Sequence, residues 1–123
     1  MNIIELIINN YSDISKFPFV EISEIQLYDL FNLDISSNIL DLFVIKKKFS
    51  EQFLEHYKNK LNWTLISRYQ FLSEDFIRRH KDKVDWNHIT RFQILSDEFK
   101  YEFQDYLDSY LLTIREYESY ENN

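Results

Sequence analysis

Two similar stretches decide the predicted fold: NWTLISRYQFLSEDF at 62–76 and DWNHITRFQILSDEF at 85–99. Aligning 61–83 with 84–106 without a gap gives eight identities in 23 positions. The identical pairs are Trp63/Trp86, Ile66/Ile89, Arg68/Arg91, Gln70/Gln93, Leu72/Leu95, Ser73/Ser96, Phe76/Phe99 and Asp82/Asp105. A self-similar period of this length is typical of arrays whose small units bury their apolar faces against one another. The sequence therefore predicts a short array of 23-residue helix-turn-helix repeats.

Each repeat carries residues that can begin two short helices. Asn62 and Asp85 can cap the first helix, because a side-chain oxygen at that position accepts hydrogen bonds from free backbone N–H groups. Ser73 and Ser96 precede the second helix in the same way, and the acidic residues after them suit its positive end. We expect helices of about nine and eleven residues, which are too short to be stable alone in water.

The aromatic residues are predicted to hold the repeats together. Trp63 and Trp86 recur at the start of the first helix and are expected to pack in the core rather than bind a ligand. On the second helices, aromatic side chains stand four residues apart, so that they meet on one helix face. These pairs are Phe53/Tyr57, Phe76/His80 and Phe99/Phe103.

The remaining segments are predicted to flank the two clear repeats within a single all-α domain, 1–123. A weaker copy of the repeat occupies 38–60, and 107–123 is interpreted as a degenerate cap with an acidic tail. Residues 1–37 are predicted to form an irregular helical part. It is predicted to contain a helix or strand at Asn2–Asn9, a loop at Tyr11–Ile22, a helix over Glu24–Asn32 capped by Ser23, and the start of a helix capped within Ser36–Asn38 that runs to about Lys48.

The composition excludes several classes of protein. The chain has no glycine, one proline and no cysteine. Phosphate-binding and dinucleotide-binding loops need glycine, whereas disulfide frameworks and thiolate metal sites need cysteine. No apolar run approaches the roughly 20 residues of a membrane-spanning helix, and the N-terminus lacks the basic start of a signal peptide. We therefore predict a cytoplasmic protein that binds neither a membrane nor a cofactor.

The repeated residues also resemble a known pattern, D-W-x-x-I-[ST]-x-[FY]-Q-x-L-S-[DE]-x-F. The segment from Lys81 to Phe99 resembles a short repeat seen in proteins of bacteriophages and large DNA viruses, and Asn62 to Phe76 matches it a second time. The resemblance covers 61–106. It implies helical repeats and a viral origin, but it implies no single activity.

Candidate catalytic and metal-binding groups are few. His80, Asp82, Asp85 and His88 lie close in sequence, but they straddle a predicted helix junction and have no second group of ligands. The carboxylate pairs at 74–75 and 97–98 fall in the first turn of a helix, where the helix dipole accounts for them. We predict no catalytic, cofactor-binding or metal-binding residue, and therefore no enzyme.

Charge is distributed unevenly along the chain. The net charge of −7 combines −6 over residues 1–45, +5 over 46–83 and −6 over 96–123. The basic segment 46–83 could bind the phosphates of a nucleic acid. The residues of this alternative surface are Arg78, Arg79, Lys81 and Lys83.

The acidic C-terminal segment carries the predicted partner-binding residues. Carboxylates and tyrosines alternate there, and tyrosine gives an interface both contact area and a polar tip. A rigid row of carboxylates can occupy a protein groove that normally holds phosphates. The predicted residues are Asp105, Asp108, Tyr110, Glu116, Tyr117 and Glu118. A solvated helix face with a frayed tail is the plainer alternative.

These features favour a non-enzymatic protein–protein interaction module. The leading hypothesis is a viral or phage protein that binds and blocks a host defence protein, for example an anti-CRISPR protein acting on a nucleic-acid-guided nuclease. One alternative is a nucleic-acid-binding protein that uses 46–83. Another is a self-assembling structural or adaptor protein whose incomplete end repeats pair with copies of themselves, forming a homo-oligomer.

Overall fold

The computed structural model describes residues 16–34 and 36–121, and helices are its only regular structure there. A short 3₁₀ helix, η1, spans Phe19–Glu21. The α-helices of the described residues are α1 Glu24–Phe31, α2 Ser37–Lys46, α3 Glu51–His56, α4 Trp63–Tyr69, α5 Glu74–Arg79, α6 Trp86–Phe92, α7 Asp97–Glu102 and α8 Ser109–Glu121. The predicted all-α fold is confirmed. No described residue has a positive φ, so this backbone has no need of glycine.

The helices of the second half begin at a regular spacing. Helices α4, α6 and α8 begin at residues 63, 86 and 109, whereas α3, α5 and α7 begin at residues 51, 74 and 97. Consecutive members of each series are therefore separated by the same interval as the two aligned stretches of sequence. Helix α2 lies outside this spacing, because it begins at residue 37 rather than 40.

The predicted N-caps are confirmed. Asn62 and Asp85 each accept a hydrogen bond from the backbone N–H three residues further on, at 3.2 and 3.1 Å. Ser73 and Ser96 do the same at the start of α5 and α7, at 3.1 Å in both helices. A cap of this kind typically contributes about 1 kcal/mol, which matters for helices this short.

The helices are shorter than the sequence predicted. Helices α4 and α6 have seven residues, and α5 and α7 have six. After α5 the chain turns, and the backbone N–H groups of Lys83 and Val84 both donate to the His80 carbonyl, at 2.9 and 3.1 Å. The turn brings Asp85 into position to cap α6, so the helix before it ends early.

The chain divides into two compact units, unit 1 at Met1–Leu61 and unit 2 at Asn62–Asn123. In unit 1, the predicted ring contact between Phe53 and Tyr57 is confirmed at 4.8 Å between centroids. Phe31 lies 5.0 Å from Phe53, and the Tyr57 hydroxyl donates to Asn32 Oδ1 at 2.6 Å. An aromatic cluster therefore forms the centre of this unit.

The start of unit 1 agrees in part with the sequence prediction. Ser23 caps α1 in a reciprocal capping box with Gln26, and Ser36 caps α2, which ends at Lys46 rather than Lys48. Helix η1 lies inside the segment that was predicted to be a loop, so that prediction is wrong at Phe19–Glu21. The predicted helix or strand at Asn2–Asn9 lies outside the described residues.

The core of unit 2 is built from apolar residues that recur in the two repeats. Ile66, Ile89, Phe76 and Phe99 are fully buried. The two tryptophans are half-buried and cover the edge of this core instead of lying within it. The Trp63 ring stacks 5.9 Å from that of Phe76, at 20° between planes, and Trp86 stacks 6.5 Å from Phe99, at 25°. Short helices gain their stability from such packing, because they are unstable in isolation.

Candidate partner-binding surface

Helices α4, α6 and α8 are joined by side-chain hydroxyls that occupy the same position in successive repeats. The Ser67 Oγ donates to the Trp63 carbonyl at 2.7 Å and accepts from the backbone N–H of Asp85, the cap of α6, at 2.9 Å. The Thr90 hydroxyl likewise accepts from the backbone N–H of Asp108, which precedes α8, at 3.3 Å. Both hydroxyl residues are fully buried. Each one therefore fixes the start of the following helix.

A buried glutamine at the end of α6 links this helix to α4 by a second set of hydrogen bonds. The Gln93 Nε2 donates to the carbonyls of Ser67 and Gln70, at 2.9 and 2.7 Å. Its Oε1 accepts from the backbone N–H of Leu72 at 3.1 Å. Gln93 thereby satisfies three backbone groups that lie at the end of α4 and in the loop to α5.

Helices α5 and α7 are held together at both ends. At one end, the Glu74 carboxylate accepts from the backbone N–H of Ser96 at 2.6 Å and from its hydroxyl at 2.8 Å. At the other end, the Arg78 guanidinium donates to both carboxylate oxygens of Glu102 at 2.9–3.0 Å. Helix α7 therefore lies beside α5 in a defined register.

Helix α8 begins the same pattern and then departs from it. The Asp108 carboxylate caps it by accepting from the backbone N–H of Leu111 at 2.9 Å, and Arg115 donates to the Thr90 carbonyl at 2.9 Å. Helix α6 ends at Phe92, where the chain turns towards α7, but α8 continues for 13 residues. Within the described chain, which ends at residue 121, no second helix follows α8.

The outer side of α7 and α8 is therefore less covered than the matching side of the preceding helices. Ile77 in α5 and Ile89 in α6 are fully buried. Lys100 and Leu112, which take the same positions one repeat later, are only half-buried. Helices α5 and α7 are joined by the Glu74–Ser96 and Arg78–Glu102 contacts, whereas no helix of the described chain makes matching contacts with the other side of α7.

An open groove of about 360 Å³ runs between α7 and α8 at this place. We call it the α7–α8 groove. Its walls include Ile94, Leu95, Lys100, Leu112, Glu116 and Tyr120. Ile94 and Tyr120 are 83% and 84% exposed, so the groove presents large apolar and aromatic side chains to solvent.

The structure separates the predicted partner-binding residues. Tyr110 and Tyr117 are 72% and 68% exposed, and their spacing of two helical turns puts them on one side of α8. Glu116 lines the α7–α8 groove, and Glu118 lines a smaller depression beside α6. Asp105 is exposed in the turn after α7. These five side chains are accessible, but they do not form one cluster.

The sixth predicted residue, Asp108, has a structural role. It is half-buried, its carboxylate caps α8, and its backbone N–H is bonded to Thr90. The position corresponds to Asp85, which caps α6. Because Asp85 and Asp108 take the same position before the first helix of a repeat, the sequence alone also indicates that Asp108 is a helix cap.

The predicted basic surface is partly used inside unit 2. Arg78 is paired with Glu102 at 2.9 Å and also with Asp75 at 2.7 Å. Its guanidinium carbon lies 5.4 Å from the centre of the Phe99 ring. Because two carboxylates surround this arginine, a phosphate would have to displace them in order to bind it.

The other three residues of that basic surface are less enclosed. Arg79 is exposed, with its guanidinium carbon 5.6 Å from the centre of the Phe76 ring, and Lys81 and Lys83 are exposed in the turn that leads to α6. The Lys81 carbonyl accepts from the Trp86 indole at 2.9 Å. The full basic segment, 46–83, spans both units.

The histidines and their acidic neighbours do not gather into a site. His80 is buried 4.5 Å from the Phe76 ring, and His88 is half-buried 5.7 Å from that of Phe92. Asp85 is used as a cap. In the described parts of the chain, no group of three or more His, Cys, Asp or Glu side chains is placed to hold a metal ion.

The Arg78–Glu102 pair predicts a pH effect. The hydrogen bond from the Arg78 guanidinium holds the pKa of Glu102 below its ordinary value. A pKa that is depressed by folding adds stability above the unfolded-state pKa, and this stability is lost as pH falls through the folded-state pKa. We expect NMR titration to place the Glu102 carboxyl below the ordinary glutamate range, and its midpoint to rise in Arg78→Gln. An unchanged midpoint in that variant would contradict the assignment.

The α7–α8 groove was not anticipated from the sequence. One signal was present, because Lys100 stands where the preceding repeat has Ile77. A second was Ser109, which stands where the two repeats have tryptophan. Both substitutions replace an apolar residue by a polar one, so they mark the place where the packing pattern of the repeats changes.

Comparison of the chain with protein-family models, with the sequences of characterised proteins and with solved structures found no match. Across residues 16–34 and 36–121, no helix has both the length and the apolar character needed to cross a bilayer.

Proposed function

We propose that this chain is a non-enzymatic protein–protein interaction module that binds its partner through α8 and the α7–α8 groove. The observation that carries the proposal is the exposure of Tyr110, Tyr117, Tyr120 and Ile94, each more than two-thirds accessible, along one end of unit 2. Tyrosine is enriched in interfaces because its ring supplies contact area and its hydroxyl a hydrogen bond. An exposed set of large side chains at one end of a small unit is typical of an interaction site.

The rigidity of this end also supports the proposal. Helix α8 is fixed at its start by Asp108 and Thr90, and Arg115 holds it to α6. A surface that is ordered before binding loses less conformational entropy when the partner arrives. The tyrosines are thus presented on a helix whose start is tied to its neighbour by hydrogen bonds.

We propose further that the partner is a host protein that a virus benefits from blocking, in the host cytoplasm. The support is the resemblance of 61–106 to repeats of phage and large-virus proteins, together with the net charge of −6 over 96–123. An acidic helix can compete for a groove that binds nucleic-acid phosphates. A nucleic-acid-guided defence nuclease is a partner of this kind, and the chain would then be an anti-CRISPR protein.

Site-specific photo-crosslinking in host cells tests the interaction. A benzophenone amino acid at Tyr117 is expected to capture one host protein in stoichiometric amount, because this residue lies on the proposed face. The same probe at Ile25, which is 76% exposed but lies in unit 1, is the matched control and is expected to capture none. If the captured protein is a nuclease, the intact chain should inhibit its cleavage and Tyr117→Asp should relieve the inhibition.

Other results of this experiment would refute the proposal. Capture of nucleic acid at Tyr117 would favour a nucleic-acid-binding protein. Capture of a second copy of the chain would favour self-assembly. Equal capture from Tyr117 and Ile25 would show that α8 is not the binding surface.

A further inference from the structure

We infer that the α7–α8 groove accepts a cationic amphipathic helix of a partner protein, seated where the second helix of a further repeat would lie. This deepens the interaction function proposed above and rests on it. The seat is defined by four features of unit 2, namely an acceptor for the helix start, an apolar floor, a hydroxyl oxygen on α8 and an acidic surround.

The acceptor for the helix start is Asp97. In α5, Glu74 accepts from the backbone N–H and hydroxyl of Ser96 and so holds the start of α7. Asp97 occupies in α7 the position that Glu74 occupies in α5, one repeat earlier. Its side chain is fully exposed, with Lys100 4.0 Å away. A carboxylate therefore stands at the place where the array would receive the serine cap of another helix.

The floor of the groove matches the apolar face of such a helix. Leu112 and Leu95 are half-buried there, beside the exposed Ile94. One repeat earlier, the residues that correspond to Leu112 and Leu95 are Ile89 and Leu72, and both are buried. A docked helix would remove the same kind of surface from water, which is favourable by about 25 cal/mol for each Å² of apolar area.

Helix α8 also carries a hydroxyl oxygen that can accept a hydrogen bond. Ser67 and Thr90 use their hydroxyl oxygens to accept a backbone N–H from the next segment of chain. Thr113 is the corresponding residue of α8, and it is exposed. Its hydroxyl donates to the Ser109 carbonyl at 2.9 Å, as the Thr90 hydroxyl does to the Trp86 carbonyl at 2.6 Å. The Thr113 hydroxyl oxygen is thus oriented like its two counterparts and can accept from an incoming chain.

The negative charge around the groove favours a cationic partner helix. Residues 96–123 contain eight acidic and two basic residues, a net charge of −6. Asp97 and Glu116 belong to this excess, whereas Lys100 and Arg115 are its only cations. A second copy of the chain that paired through the same end would bring the same acidic segment to the groove and be repelled. A helix with Lys or Arg on its flanks would be attracted to the groove. Its binding would therefore be favoured over the binding of an acidic helix.

Two peptides taken from the chain itself provide the test. Residues 71–84 contain the α5 sequence and its Ser73 cap, with four basic and three acidic residues. Residues 94–107 contain the α7 sequence and its Ser96 cap, with one basic and four acidic residues. Each would be labelled with a fluorophore and titrated with the full-length protein, with anisotropy as the measurement. We expect the basic peptide to bind at least about tenfold more tightly, with the difference shrinking as salt screens the charges.

Charge reversal in the full chain locates the binding. Asp97→Lys is expected to weaken binding of the basic peptide by about tenfold, because it removes the acceptor and repels the ligand. Asp82→Lys changes the net charge equally at an exposed turn outside the groove and is expected to leave the affinity nearly unchanged. Leu112→Ala should also weaken binding, with circular dichroism showing that the helices persist. Backbone NMR shifts caused by the peptide should centre on residues 94–101 and 112–116.

Four outcomes would overturn the inference. They are equal affinity for the two peptides, no saturable binding, equal effects of Asp97→Lys and Asp82→Lys, and a concentration-dependent dimer whose formation Leu112→Ala abolishes. The last outcome would assign the groove to a second copy. If the peptides fail to bind but the Tyr117 crosslink still recovers a host protein, the interaction function stands and only the helix-docking inference fails. If the peptides bind but no host protein is recovered, the interaction function itself fails.

Discussion

Replacing Gln93 with alanine is expected to lower the free energy of unfolding of unit 2 by about 3–5 kcal/mol. The side chain is 4% exposed and satisfies the carbonyls of Ser67 and Gln70 and the N–H of Leu72. Alanine would leave these three buried backbone groups without that partner, and each unsatisfied buried group costs about 1–3 kcal/mol. The loss is large against a typical total stability of about 5–15 kcal/mol.

Urea denaturation followed by tryptophan fluorescence measures this loss. The chain has two tryptophans, Trp63 and Trp86, and both lie in unit 2, so the signal reports that unit alone. Gln104→Ala is the matched control, because Gln104 is exposed in the turn after α7 and its loss is expected to change stability by no more than about 0.5 kcal/mol. Equal effects at Gln93 and Gln104 would contradict the role assigned to the buried amide.

The hydrogen bonds of the Gln93 side chain could not be predicted from the sequence. The alignment pairs Gln70 with Gln93, and the spacing of four residues from Ile66 and Ile89 puts each glutamine on the same helix face as that isoleucine. Periodicity indicates that such a residue faces inward, but it does not say which backbone groups the amide will meet. Those groups belong to the preceding repeat, and only the packed structure brings them within reach.

The caps were predictable because they are local. Asn62, Ser73, Asp85 and Ser96 each bond to a backbone group three residues away, so the short sequence pattern contains both partners. Helix ends were less predictable. The His80 turn that shortens α5 depends on where Asp85 must stand to meet Ser67, which is a non-local requirement.

The candidate site was only partly predictable for the same reason. Exposure of Tyr110 and Tyr117 follows from an acidic, tyrosine-rich segment. Asp108 occupies the same repeat position as Asp85, so its role as a helix cap was predictable. From the sequence, its carboxylate is instead interpreted as a charge that contacts a partner. The α7–α8 groove lies where no described helix covers α7, and its walls run from Ile94 to Tyr120 along the chain. A pattern of residues that are neighbours in sequence does not predict a groove whose walls come from distant parts of the chain.

Replacing Phe76 or Phe99 with alanine is expected to lower the free energy of unfolding by about 3–5 kcal/mol in each case. Both rings are fully buried. The Phe76 ring lies 4.5 Å from that of His80, and the Phe99 ring lies 4.5 Å from that of Phe103. Truncation would remove the transfer free energy of the ring and leave a cavity next to a half-buried tryptophan.

The comparison between the two sites is the more informative measurement. If residues 61–83 and 84–106 are energetically equivalent repeats, Phe76→Ala and Phe99→Ala should agree within about 1 kcal/mol, since each ring is fully buried and stacks on a tryptophan. Phe71→Ala is the control, because Phe71 is 71% exposed and should change stability by about 0.5 kcal/mol or less. A much smaller cost at Phe99 would mean that α7, with one side uncovered, is packed more loosely than α5. In that case a peptide seated in the α7–α8 groove should raise the cost of Phe99→Ala towards that of Phe76→Ala, because the bound helix would supply the missing layer.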